Sequence, residues 1–166
     1  SYHILGKGSK VVDVGCAPGG WVQVAMKLVG GGGKVVGVDL KEVEPVAGAH
    51  IFQGDIEDPM TVGRIAESLQ DKADLLLSDL APNVSGVWDV DHARQISLSK
   101  SAFSLAEKVL KDNGNAVFKV FEGEFLTEFR NELKKSFGKV FLSKPTASRQ
   151  ESSELYLVCL NYKRNS

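Results

Sequence analysis

Cysteine is scarce in this chain of 166 residues: Cys16 and Cys159 are the only two, and they lie far apart. A disulfide framework is therefore excluded, and a reducing compartment, the cytoplasm or an organelle matrix, is the expected setting. No Cys/His cluster has the spacing of metal ligands, so no metal centre is expected. Long apolar runs are missing as well. The run from Ala73 to Leu77 is interrupted by Asp74, and nothing approaches the roughly 18 apolar residues of a membrane span. The opening stretch, Ser1-Tyr2-His3-Ile4-Leu5-Gly6-Lys7, has no secretory h-region. An excess of one charge is absent too. Lys and Arg number 20 against 21 Asp and Glu, net −1, so overall charge gives no argument for a polyanionic partner. Repeats, low-complexity tracts and Pro/Ser-rich linkers are lacking, and residues 1–166 read as a single domain, a monomer.

What is present is an ordinary globular composition, 43% hydrophobic and 25% charged, which excludes general disorder. The charge is unevenly spread. Residues 1–91 hold 7 Lys/Arg and 13 Asp/Glu (net −6), and residues 92–166 hold 13 and 8 (net +5). Such asymmetry marks either a polyanion-binding face or plain solvation. Apolar, β-branched runs predict strands at Lys10 to Gly15, Lys34 to Leu40, Ala49 to Ile56, Ala73 to Leu80, Asn115 to Phe121, Lys139 to Ser143 and Glu154 to Tyr162. Helical spacing predicts helices over Gly20 to Val29, Met60 to Gln70, Ile96 to Leu110 and Phe125 to Phe137. Strands alternating with helices imply a mostly parallel sheet covered on both faces. Only Lys144 to Ser153 separates the last two strands, too short for a helical crossover, so they form an antiparallel hairpin. The fold class is thus α/β, with the plan of a Rossmann-like methyltransferase: a mostly parallel seven-stranded sheet and an antiparallel C-terminal hairpin.

In open α/β sheets a ligand binds at the carboxyl ends of the strands, where strand order reverses. Polar residues gather there: Asp13-Val14-Gly15, Asp39, Asp55 and Asp79. The first turn, Gly15-Cys16-Ala17-Pro18-Gly19-Gly20-Trp21, lacks the Gly-x-Gly-x-x-Gly fingerprint, since Ala17 stands where its second glycine belongs. That disfavours a pyrophosphate. Asp39 can accept hydrogen bonds from ribose hydroxyls, and Asp55 can accept one from an adenine amine. An acidic site suits the sulfonium of S-adenosylmethionine. The candidate cofactor residues are Gly15, Gly19, Gly20, Trp21, Asp39, Asp55 and Asp79. The plainer alternative makes the acids solvated loop residues or helix caps, as Asp58 is before Pro59. Trp21 either closes over the cofactor or fills core, and Cys16 reads as a small apolar residue.

Lys119 sits inside the apolar run Phe118-Lys119-Val120-Phe121. A buried ammonium needs a partner. Asp79, at one strand end, and Glu154, at the head of the last strand, can provide it. Otherwise the lysine snorkels.

Taken together, Asp13-Val14-Gly15-Cys16-Ala17-Pro18-Gly19-Gly20-Trp21, Gln53-Gly54-Asp55, Ser78-Asp79-Leu80-Ala81-Pro82-Asn83-Val84-Ser85-Gly86, Phe118-Lys119-Val120-Phe121-Glu122-Gly123, and Lys144-Pro145 with Ser148-Arg149 and Ser153-Glu154-Leu155-Tyr156 resemble the FtsJ/RrmJ family of ribose 2′-O-methyltransferases. The resemblance spans nearly the whole chain and is nearest to the large-subunit rRNA enzymes. It implies a Lys-Asp-Lys-Glu tetrad, of which Asp79, Lys119 and Glu154 match the last three members as catalytic residues. The first lysine lies well before the first strand in the family. Only twelve residues precede Asp13 here, so the family's N-terminal segment is expected to be missing from this sequence.

The implied reaction is S-adenosylmethionine-dependent 2′-O-methylation of a ribose, that of a uridine, in the ribosomal RNA of the large subunit. A ribose hydroxyl is a poor nucleophile, so the enzyme must align it and assist loss of its proton. A lysine can take that proton when neutral or stabilise the alkoxide when charged. Arg94, Lys144 and Arg149 are the candidate RNA-binding residues; Lys134 and Lys135 equally suit a helix C-terminus. The alternatives are methylation of tRNA or an mRNA cap, and a non-catalytic RNA-binding ribosome-assembly factor. A small-molecule methyltransferase would leave Lys119 and the basic half unexplained.

Overall fold

Two valine-rich segments make interior strands of the sheet. Lys10–Val14 (β1) and Lys34–Asp39 (β2) are buried along almost their whole length, as strands covered on both faces must be. The structure is a computed structural model that describes residues 6–17, 19–144 and 154–164. Between these strands runs the helix Gly20–Val29 (α1). Then follow His50–Gln53 (β3), Pro59–Leu69 (α2), Ala73–Ser78 (β4), Trp88–Val109 (α3), Leu110–Phe121 (β5), Leu126–Lys134 (α4), Phe137–Ser143 (β6) and Glu154–Tyr162 (β7). Asp58 caps α2 by accepting a hydrogen bond from the Met60 N–H (2.9 Å), with Pro59 at the first helical position.

The seven strands are ordered β3-β2-β1-β4-β5-β7-β6. The first five pair in parallel, while β7 runs antiparallel to both β5 and β6. The expected hairpin is therefore present, with β7 inserted between β5 and its own hairpin partner. On one sheet face α1 buries Val22, Ala25 and Val29 against Val11, Val35 and Leu75. On the other face α2, α3 and α4 share a larger core built on Val12, Val36, Leu76, Phe118 and Val120. Each fully buried Leu or Phe there stabilises by roughly 1.5–3 kcal/mol. Among the described residues no helix is long and apolar enough to cross a membrane.

Two boundaries differ from the sequence expectation by more than three residues. Helix α3 begins at Trp88, not near Ile96, because its first turns are buried through polar residues (Asp91, His92 and Gln95) that apolar periodicity does not register. Strand β5 begins at Leu110, with an irregularity in its pairing to β4 before Asn115 pairs Leu75.

Candidate active site

Sheet register lines up the site. Asp13 pairs with Gly37 and Leu77, Leu77 with Val117, and Val117 with Val158. Paired residues share a face and side chains alternate along a strand. One step nearer the rim, the same face therefore presents Asp39, Gly15, Asp79, Lys119 and Tyr156. Strand order reverses at β1, which has β2 on one side and β4 on the other, so this row sits where the fold opens a crevice.

Gly15 has φ +74°, and a Cβ there would lie 3.0 Å from the Leu80 N and 3.1 Å from the Asp79 carbonyl carbon. Only glycine lets β1 turn so close to the end of β4. Asp39 fixes this turn: Oδ2 accepts from the Ala17 N–H (2.8 Å) and Oδ1 from the Lys41 N–H (2.9 Å). A carboxylate offers about four lone-pair directions, so acceptor capacity remains. Asp55 accepts the Glu57 N–H (2.9 Å). Two adjoining hollows follow the row. The larger, about 650 Å³, is walled by Asp39, Lys41, Asp79, Asn83 and Arg94 among others. The smaller, about 200 Å³, adds Gly54, Asp55 and Ser101 and shares Gly15 and Asp39 with the first.

Beneath the row lies Asp13, 1% exposed, its Oδ2 without a hydrogen-bond partner among the described residues. Burial, then the Asp79 and Asp39 carboxylates, push its carboxyl from 3.8 up to about 7. Three carboxyls on one face make a site that favours a cation.

On the other side of the crevice Lys119 Nζ lies 3.2 Å from Asp79 Oδ1 and 4.0 Å from Glu154 Oε1, its side chain 12% exposed. Tyr156 donates its hydroxyl to the same Asp79 oxygen (3.3 Å). Burial, then Asp79 and Glu154, push the Tyr156 phenol up to about 12, keeping it a donor. The three residues expected to be catalytic are thus brought together from β4, β5 and β7.

Sequence reasoning missed what holds Lys119 from behind. Gln95, fully buried on α3, donates to the Lys119 carbonyl (2.5 Å) and accepts from the Phe121 N–H (2.9 Å); Ser99 adds a second donor to that carbonyl (2.8 Å). The available signal was Gln95 and Ser99 four residues apart on one helix face. Tyr156, too, had no role of its own beyond the motif that contains it.

The remaining expected residues are dispersed. Gly19 is the left-handed cap of α1 (φ +112°), and Gly20 opens that helix. Trp21 is 53% exposed, so it is not a core residue. Cys16 is buried, with its thiol pushed up to about 12, chiefly by burial, as an apolar residue's would be. Arg94 is exposed on α3 and lines the larger hollow; Lys144 is exposed just beyond β6. Arg149, Pro145, Ser148, Ser153 and Pro18 lie outside the described residues.

Comparison with known proteins shows the family. Residues 1–162 match the model of a family described as FtsJ-like methyltransferase. A ribosomal RNA large subunit methyltransferase E of Nitrosopumilus maritimus is 52% identical over 162 residues, covering 98% of this chain and 82% of that protein. Its counterpart in Cenarchaeum symbiosum is 50% identical over 163 residues, covering 98% and 83%. A crystal structure described as a ribosomal RNA methyltransferase from Plasmodium falciparum superposes with a TM-score of 0.85 at 28% identity, covering 96% of this chain and 89% of that one.

Proposed function

The chain belongs to the FtsJ-like methyltransferase family, and on that premise we propose that it methylates the 2′-hydroxyl of a ribose, that of a uridine, in large-subunit ribosomal RNA. Residues 1–166 act as one catalytic domain, a cytoplasmic monomer using S-adenosylmethionine. The observation that carries the reading is Lys119, held between Asp79 and Glu154 at the edge of an acidic crevice.

The crevice fits the cofactor. Its floor is a glycine whose Cβ would collide with backbone, and its wall carries Asp39 and Asp79 above the orphaned Asp13 oxygen. That donor set matches a cation bearing a nucleoside. Asp39 would hold the ribose hydroxyls and Asp55 the adenine amine. Asp79 would face the positive charge, and Gly15, Gly19, Gly20 and Trp21 would frame the turn. When bound, the cofactor supplies an electrophilic methyl group.

The protein's own work is alignment and charge. Lys119 Nζ, tethered on two sides, hydrogen-bonds the reacting oxygen, directs its lone pair and stabilises negative charge as it develops. The hydroxyl proton leaves toward Glu154, whose side chain is 41% exposed and so connects to water. Arg94 and Lys144 meet phosphates flanking the ribose, and Arg149 extends the same basic strip in sequence.

The test is transfer of labelled methyl from S-adenosylmethionine to large-subunit RNA. The expected product shows a gap in the alkaline ladder at the labelled nucleotide, since a methylated 2′-oxygen cannot cleave the backbone. Label found on a base, or only on tRNA, would overturn the reading.

A further inference from the structure

Beyond Lys119 the rim changes character. Trp88 and His92 lie one turn apart on α3, and each stacks on a residue of the chain leaving β5. Trp88 lies over Phe121 (centroids 6.2 Å, 14° between planes), and His92 lies against Phe125 (5.7 Å, 2°). Phe121 is buried and two residues past Lys119, so it shares the sheet face of that lysine. The outer ring, Trp88, is 47% exposed, and Val84 and Val87 beside it are more exposed still.

This patch is held in place. Asp91 accepts from the Ser85 N–H (2.9 Å), the Ser85 hydroxyl (2.8 Å) and the Gly86 N–H (3.2 Å), pinning the loop that carries Val84 and Val87. The Phe125 N–H donates to His92 Nε2 (3.0 Å), and at Gly123 a Cβ would sit 2.3 Å from the His92 ring. An exposed indole so firmly backed is preorganised for a flat ligand.

We propose that the outer face of Trp88, flanked by Val84 and Val87, is the stacking platform for an unpaired base of the substrate RNA next to the reacting ribose. This rests on the reading of the protein as an RNA ribose methyltransferase. Charge selects the occupant. Residues 84–91 and 120–129 contain no Lys or Arg, and their charges are Asp89, Asp91, Glu122, Glu124 and Glu128. Such a rim repels phosphate and anionic lipid, and accepts a neutral heteroaromatic ring. The phosphates are left to Arg94 and Lys144. Unpaired bases can be splayed out and stacked on aromatic side chains, so a site that receives an unstacked base beside the reacting ribose complements the chemistry.

The experiment uses the intact chain saturated with S-adenosylmethionine and a transcript of large-subunit RNA. Stacking on indole quenches its emission, so tryptophan fluorescence should fall as RNA is added. The fall should vanish in Trp88→Phe while RNA affinity stays near that of the parent. Trp88→Ala should weaken RNA binding by roughly 5- to 150-fold, the scale of one base–aromatic stack, with cofactor affinity unchanged. Quenching that persists in Trp88→Phe, or RNA binding by Trp88→Ala equal to the parent's, would overturn the proposal and leave the patch to a protein partner. Failure of the parent protein to transfer methyl to RNA would instead count against the functional reading. Quenching by RNA with no methyl transfer would sink only the latter.

Discussion

The two sides of the crevice are built in different ways. On the β1–β2–β3 side the carboxylates are tied to backbone N–H groups, mostly two positions away and at most 22: Asp39 to Ala17 and Lys41, Asp55 to Glu57, Asp58 to Met60. On the β4–β5–β7 side they are tied to side chains from distant strands, Asp79 to Lys119 and Tyr156 across as many as 77 positions. The first arrangement makes a fixed binding surface that forms with its own loops. The second exists only once the sheet is assembled, and it holds an amine between two carboxylates. On the proposed function, binding and catalysis are thus separable by mutation.

The largest separation is expected from Lys119→Ala. Methyl transfer to RNA should fall by about 10²–10⁴-fold, the usual contribution of a positioned acid–base group, while calorimetry finds the same cofactor affinity. A variant that kept its rate would erase the catalytic side of the contrast.

Next comes Asp13→Asn, which tests whether the binding side stores unfavourable charge. In the folded chain Asp13 keeps its proton up to about pH 7, against 3.8 for the ordinary carboxyl. Its contribution to stability is therefore full below the unfolded value and is lost as pH rises toward 7. Urea melts across that window should slope downward for the parent and flatten for Asp13→Asn, which gains at most about 4 kcal/mol above pH 7. A cationic ligand favours ionised Asp13, so cofactor affinity should also rise with pH across that window in the parent alone.

Asp39→Ala should weaken cofactor binding by roughly 1.5–3 kcal/mol, the scale of hydrogen bonds to a charged group, and loosen the Gly15 to Ala17 turn as well. Asp39→Asn can keep part of the turn while losing the charge, and titration of both variants apportions the two effects. The smallest change is expected for Tyr156→Phe, which removes one hydrogen bond to Asp79 worth about 0.5–1.5 kcal/mol. Its mark should be a modest loss of transfer rate with no change in cofactor affinity; an equal loss in both would place Tyr156 on the binding side.

Most of this molecule's plan was determined by sequence alone. Valine runs ending in Gly15 and Asp39 and a leucine run ending in Ser78-Asp79 announce strands that meet at a ligand-binding edge, because such apolar runs suit buried strands and glycine permits the turn. The spacing before Glu154 announces an antiparallel hairpin. The lysine within Phe118 to Phe121 announces a partner for its charge.

What only the tertiary structure decided is how those pieces are held. Gln95 and Ser99 grip the Lys119 carbonyl from a helix whose first turns escaped detection. Their burial is compensated by hydrogen bonds and not by apolar contact, so no hydrophobic period reports it. Tyr156 reaches Asp79 because β7 slots between β5 and β6, and strand order is not written in local pattern. Trp88 over Phe121 and His92 against Phe125 likewise depend on α3 meeting the exit of β5, contacts that arise only when elements distant in sequence pack.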